Sequence, residues 1–467
     1  MRLSVSNILL FFAVTASAQY FKSFETYDES NSTELIYEIQ KNKREEVKAY
    51  REGNEVHSYI YRQTHNKLRS YILNGHIIKS DTIDKWVKTI HDFLISKNPR
   101  IKPASKILIS RNGLSNAVSY VDGTIIINLG LLTRIRNEGE LAFILAHEMA
   151  HYHLEHQRER VIAFVSKDQT AQVTSKLKKI PEGNMTINDL EFVQGWFNHM
   201  YRNTREQELQ ADSLALEMVK AAGYRFSSIV GCFDHLVSIY HPFYPLKRTL
   251  FDAFIFDELP FKQRWLQPKR IEYNKSFMQN LVNNDTLISH PDVEQRKNSL
   301  ISYTSGKPIT QTDDFQRQLD QRLKFEMINS FEFYGRYDLA AHTCLQLMKE
   351  HPENRSYLNF RLGRILHKIA LAKNDNRVEY VVSPYTDHFH NESKALNNFF
   401  YNLTVPEMAE IAYLYISKNF DEANPDHYRV KIECSQLTMR LKEVKQLKKE
   451  FHSRFPKEKV NRYSDAR

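Results

Sequence analysis

Cysteine is scarce in this chain of 467 residues: Cys232, Cys344 and Cys434 are widely separated and odd in number. That pattern argues against a disulfide framework and leaves three buried apolar thiols as the expectation. Long apolar runs are missing as well. No stretch of eighteen apolar residues occurs, and between positions 151 and 208 Lys178, Lys179 and Glu182 interrupt the chain, so no transmembrane segment is expected in the mature protein. Neither sign of charge dominates, because 56 acidic residues are interspersed with 65 basic ones. The net charge of +9 would permit contact with acidic surfaces, but no nucleic-acid motif accompanies it. Only Lys442 to Lys459 is dense in lysine, and it reads as a solvated helix face, with a membrane or nucleic-acid contact as the alternative.

What is present fits a globular protein. With 42% hydrophobic residues the chain is long enough for two or three domains with proper cores. Arg2 precedes an apolar run from Ile8 to Val14, and Ala16-Ser17-Ala18 before Gln19 has the small-x-small form of a signal-peptidase site. Residues 1–18 are therefore expected to be a signal peptide cleaved after Ala18, giving a periplasmic or secreted protein. No cysteine follows the cut, so a lipoprotein anchor is not expected.

The chemistry concentrates at His147-Glu148-Met149-Ala150-His151, set in the apolar stretch Leu141 to His156. On a helix, residues four apart share a face, so His147 and His151 can turn toward one ion with Glu148 beside it. A catalytic zinc usually takes three protein ligands and keeps one position for water. One zinc pattern would continue with a glycine at position 154 and a histidine at position 157, where this chain has Leu154 and Gln157. The third ligand is then expected from another helix, and Glu208 is the best candidate. Glu208, Ala211, Asp212 and Ala215 follow i, i+3, i+4, i+7 spacing and share one helical face. Asp212 could accept the free ring N–H of a bound histidine. Arg205, one turn earlier, could neutralise the acidic cluster. The plain alternative is a pair of ordinary helix histidines beside a solvated Glu148.

At these residues the chain resembles metallopeptidase family 48. His147 to His151 and the segment Arg205 to Ala215 carry the resemblance, together with two further blocks. Asn116-Ala117-Val118-Ser119-Tyr120 leading to Gly123 and on to Leu132 resembles the family's hairpin upstream of the zinc helix. Ser289-His290-Pro291 through Arg296 resembles its block near the end of the catalytic domain. The resemblance implies an α+β, zincin-like (gluzincin) catalytic domain, mainly helical with a small β-sheet or hairpin. It implies Zn2+, one per chain, on His147, His151 and Glu208, with Glu148 as general base and Asp212 supporting the ligands. It places His290, as oxyanion stabiliser or resting-state ligand, and Arg296 near the active centre; a helix-entry turn held by Pro291 would explain both equally well. Zinc would bring water's pKa from about 15.7 down to about 7, and Glu148 would pass the proton to the leaving amine. The hairpin offers a strand edge, including Asn116 and Ala117, on which an extended peptide could pair through its main chain.

Along the chain, Ser32 to Leu73 is charged and helix-prone, Asp81 to Ile95 reads as an amphipathic helix, and Lys106 to Ser110 as a strand. The aromatic stretch Tyr240 to Trp265 reads as packing between domains, or as a lid over the cleft. Past Ser305-Gly306-Lys307-Pro308, a linker by composition, the pattern is helical alone. Phe331, Gly335, Tyr337, Ala340, Cys344, Leu347 and Pro352 fit the spacing of a tetratricopeptide repeat. Tyr357 to Ala372, Pro406 to Lys418 and Asp426 to Phe451 read as further helices. The expected organisation is a metallopeptidase domain over 19–304, with its core over about 81–304, and an all-α tetratricopeptide-like domain over 309–467. The expected partners are polypeptide substrates, including misfolded or unassembled envelope proteins, and a protein partner on the C-terminal helices. A reading from another class is a periplasmic chaperone or assembly factor whose repeats bind clients while the protease site stays closed.

Overall fold

The computed structural model describes residues 23–27, 32–41, 54–159, 205–229, 231–233, 248–267, 296, 314–383 and 391–460. The signal-peptide expectation (1–18), the linker (305–308) and His290 lie outside the described residues.

Five strands form one sheet: β1 (Glu25–Thr26), β2 (Ile77–Lys79), β3 (Lys106–Ser110), β4 (Ala117–Ser119) and β5 (Thr124–Asn128), in the order β1-β2-β3-β5-β4. The isoleucine-rich β3 and β5 pair in parallel, Ile107 opposite Ile125 and Ile109 opposite Ile127. Parallel strands are usually covered on both faces, and here the two-residue alternation explains how. Ile109, Ile125 and Ile127 enter the main core, whereas Ile77, Leu108 and Ile126 face a second core completed by Leu35, Ile39, Leu68 and Ile72. Leu68 and Ile72 belong to helix α1 (Asn54–Leu73). The hairpin read from the sequence is present, with β4 antiparallel to β5 and lying at the sheet's edge.

On the main-core side, α2 (Asp81–Lys97) starts at Ser80, whose hydroxyl accepts from the Ile83 N–H, and it buries Ile83, Val87, Ile90 and Leu94 at helical spacing. After the short α3 (Leu129–Leu132), α4 (Glu138–His153) begins at the Asn137 cap and is buried at every position from Gly139 to His151. A helix buried on every face belongs in an interior. Beside it packs α5 (Arg205–Ala221).

The described residues from Asp314 onward are helical: α6 (Asp314–Phe333), α7 (Tyr337–Glu350), α8 (Arg355–Asn374), α9 (Asn391–Asn402), α10 (Val405–Lys418), α11 (Pro425–Leu437) and α12 (Leu441–Arg454), with a single turn at Val378–Val381. Phe331, Ala340, Cys344 and Leu347, four of the residues that suggested a repeat, are buried where α6 and α7 meet. Cys232, Cys344 and Cys434 are all buried free thiols. The stretch from Asp426 to Phe451 is two helices rather than one. Met439, at φ 58°, ends α11 in the left-handed region, and Arg440 N–H bonds back to the Ser435 carbonyl. The lysine-rich α12 buries Val444, Leu447 and Phe451 and turns its lysines outward.

These helices join the sheet through a buried knot of polar groups. Glu326 of α6 accepts from the Phe24 N–H (3.1 Å), from Ser23 Oγ (2.9 Å) and from Arg111 Nη1 (3.4 Å). Next to it, Phe331 and Met327 fill the space a Cβ would take on Gly113. Gly130 at the start of α3 lies so close to the Gly113 carbonyl that no side chain fits there. The aromatic segment also joins the halves. Phe254, Phe261 and Trp265 surround Phe399 of α9, with ring centroids 4.6, 6.1 and 5.9 Å away, and Phe256 meets Tyr415 of α10 at 5.3 Å. Of the two readings of this segment, packing is the one seen for these residues; Tyr240, Phe243 and Tyr244 lie outside the described residues.

Candidate metal centre

The described residues bring His147, His151 and Glu208 together. One turn of α4 separates the two histidines, and their Nε2 atoms face each other at 3.0 Å. Glu208, 0% exposed on α5, places Oε2 3.5 Å from His147 Nε2 and Oε1 3.3 Å from His151 Nε2. Zinc–nitrogen bonds of 2.0–2.1 Å in a tetrahedron imply donor separations of about 3.3 Å. The three observed separations lie around that value, so the donor set fits a zinc-sized ion in size, in number and in chemistry.

Charge makes the same argument. Glu148, Glu208 and Asp212 bring three carboxyl groups into a buried space, and Arg296 brings one guanidinium. With these groups ionised and both imidazoles neutral, as metal ligands must be, they leave two negative charges, which a divalent cation offsets. Arg296 donates from Nε and Nη2 to the two oxygens of Asp212, both at 2.8 Å, and its Nη1 lies 2.7 Å from Glu208 Oε2. Burial pushes the Asp212 carboxyl up, but Arg296 and His147 together outweigh it and hold the carboxyl below its usual range. Burial pushes the Arg296 guanidinium down, and Glu208 and Asp212 more than reverse that.

The two histidines differ. Burial disfavours the charged ring at His147, but Asp212, whose Oδ1 is 2.9 Å from Nδ1, and Glu208 raise its pKa to about 9. At His151 burial prevails, aided by His147 and opposed by Glu208 and Glu148, and the pKa falls to about 4. Glu148 is 3% exposed and next in sequence to His147 on α4.

The four residues that sequence spacing singled out, His147, His151, Glu208 and Asp212, lie together in the structure. The resemblance alone brought in Arg296, and it reaches the cluster. Arg205 begins α5, but its side chain lies outside the described residues, as does all of His290. Asn116 and Ala117 are buried at and just before β4, where the neighbouring Ser119 carbonyl accepts from the Gln157 side chain. One pair was missed. His156 Nδ1 lies 2.9 Å from His151 Nδ1, and His156 Nε2 lies 3.0 Å from Gln210 Oε1. A spacing of five residues is not a helical period. It works here because Glu155, at φ 58°, turns the chain back past the end of α4.

Comparison with known proteins agrees with this geometry. Residues 82–304 match the family model described as Peptidase family M48. The chain is also 22% identical over 308 residues to a Vibrio cholerae serotype O1 protein named "Putative beta-barrel assembly-enhancing protease"; the match covers 61% of this chain and 59% of that protein. The chain therefore spans little more than half of that relative's length. The segment 82–304, which carries the buried His147, His151, Glu208 and Arg296, is thus similar to peptidase family M48, a family of zinc metallopeptidases.

Proposed function

We propose that this chain is an exported zinc-dependent metalloendopeptidase that hydrolyses peptide bonds of protein substrates. The observation that carries the reading is the convergence of three buried donors from two helices, with Glu148 beside them. His147, His151 and Glu208 would hold the ion. When bound there, zinc supplies a Lewis acid that brings water's pKa to about 7 and polarises a carbonyl. Glu148 takes the proton released as water attacks and hands it to the leaving amine. Asp212 holds His147 by Nδ1, and Arg296 holds Asp212 and Glu208 in place. The edge strand β4, with Asn116 and Ala117, receives the substrate main chain. His290 is assigned to the active centre by its sequence block alone.

The wider reading places residues 1–18 as a signal peptide, 19–304 as the peptidase domain and 309–467 as a tetratricopeptide-like helical domain. Export to the periplasm or medium follows from the signal sequence. No described helix is long and apolar enough to cross a membrane. Quality control of envelope proteins is the biological role, with unassembled clients as substrates. The name of the Vibrio relative also favours a second reading, in which the C-terminal helices bind clients and assist assembly while the site is mostly shut.

Glu148→Gln tests both. It should keep about one zinc per chain and lose casein hydrolysis by at least about 100-fold, in line with general-base losses. Undiminished hydrolysis would remove Glu148 from the chemistry. Comparing the exported proteomes of wild type and Glu148→Gln would name the clients, and full complementation by the variant would favour the assembly reading.

A further inference from the structure

Behind His147 stands a carboxylate; behind His151 stands another imidazole. Four groups fix the direction of the hydrogens in that second arrangement. Gln210 Nε2 donates to Glu206 Oε1 at 3.5 Å, which turns Gln210 Oε1 toward His156 Nε2 at 3.0 Å. An amide oxygen only accepts, so His156 carries its hydrogen on Nε2 and presents a lone pair at Nδ1. That lone pair lies 2.9 Å from His151 Nδ1, which must then be the N–H donor. The lone pair of His151 is left on Nε2, the atom facing His147 and Glu208.

We propose that His156 and, behind it, Gln210 are positioning residues that hold His151 in its Nδ1–H tautomer and aim its Nε2 at the metal. This rests on the zinc reading above. A neutral acceptor suits the place, since a further carboxylate would add charge to a pocket that already holds Glu148, Glu208 and Asp212. His156 is 2% exposed and is the stronger member of the pair; Gln210 is exposed, and water can partly replace it.

The test uses the full-length protein and two measurements. Zinc affinity is read by competition with a chromophoric chelator. The imidazole tautomers are read from long-range 1H–15N spectra of the metal-free, histidine-labelled protein, with the His156→Gln spectrum assigning the signals by difference. His156→Leu should bind zinc about 10- to 100-fold more weakly, the range for lost support of a ligand, and should release His151 toward the Nε2–H form. His156→Gln can accept and donate in the same places and should restore affinity to within a few-fold. Gln210→Leu should cost only a few-fold. An Nε2–H tautomer at His151 in the wild type would overturn the proposal, as would unchanged zinc affinity in His156→Leu. If the wild type bound no zinc, the zinc reading would fall, while the spectra would still decide the hydrogen order. If His156→Leu did not fold, the wild-type and His156→Gln spectra would decide it alone.

Discussion

Arg296 grips Asp212 through two parallel hydrogen bonds of 2.8 Å while its remaining nitrogen lies 2.7 Å from Glu208. One side chain, 84 residues along the chain from Asp212, thus holds both buried acids of α5. Breaking a buried charge cluster costs about 3–5 kcal/mol, because the remaining charges stay buried without compensation. Arg296→Met should destabilise the metal-free protein by that amount in urea unfolding, and saturating zinc should narrow the gap. Equal stability of variant and wild type without metal would show that the clamp is idle.

Removing Glu208 acts on the ion directly. Glu208→Ala is expected to lower zinc content from about one per chain to near zero after dialysis, by elemental analysis, since two histidines alone make a poor catalytic site. Full zinc retention would place the third donor elsewhere.

Acid should loosen the C-terminal helices through Glu332. Burial raises this carboxyl, but Arg361 and Arg364 prevail and take its pKa down to about 2. A carboxyl depressed on folding adds stability above its unfolded value, and that stability is lost as pH falls through the window from about 4.5 to about 2. Glu332→Gln should be less stable than wild type at pH 7 and lose less between pH 5 and about 3, as followed by circular dichroism under urea. An acid profile as steep as that of wild type would assign the loss to other carboxyls.

Gly130→Ala would force a methyl group into the Gly113 carbonyl, which is backbone and cannot rotate away. Overpacking of this kind costs about 1–3 kcal/mol or more. Since the segment from Gly113 leads into β4, peptide hydrolysis should fall with stability. A variant with wild-type melting temperature would mean that the turn yields easily.

Met439→Gly should work in the opposite direction. A left-handed conformation costs an L-residue about 1–2 kcal/mol, part of which the greater freedom of unfolded glycine takes back. With the Met439 side chain 74% exposed, little packing is lost, and a gain of about 0.5–1 kcal/mol is expected in thermal unfolding.

Met439 also shows where reading the sequence stops. Gly75, Gly223 and Gly335 end their helices at positive φ, and glycine is the residue expected there; Asn376 and Met439 do the same without that signal, so α11 and α12 read as one helix. The candidate donors His147, His151 and Glu208, and Asp212 behind His147, were legible because they obey local helical periods. His156 was not, since its approach depends on the backbone turn at Glu155. Strand β3 and the hairpin stood out through their isoleucines, whereas the two- and three-residue strands β1 and β2 are too short to carry a pattern. The partners of Phe254 and Phe261 could not be foreseen, because Phe399 lies well over a hundred residues further on.

That aromatic seam has an evolutionary reading. Phe143 of the histidine-bearing helix and Ile416 of α10 belong to a single uninterrupted hydrophobic interior, bridged by Phe254, Trp265 and Phe399. Lineages that exchanged the C-terminal array wholesale would have stripped the peptidase half of its cover, so the two parts are expected to diverge in step, with changes around Phe399 matched by changes around Phe254.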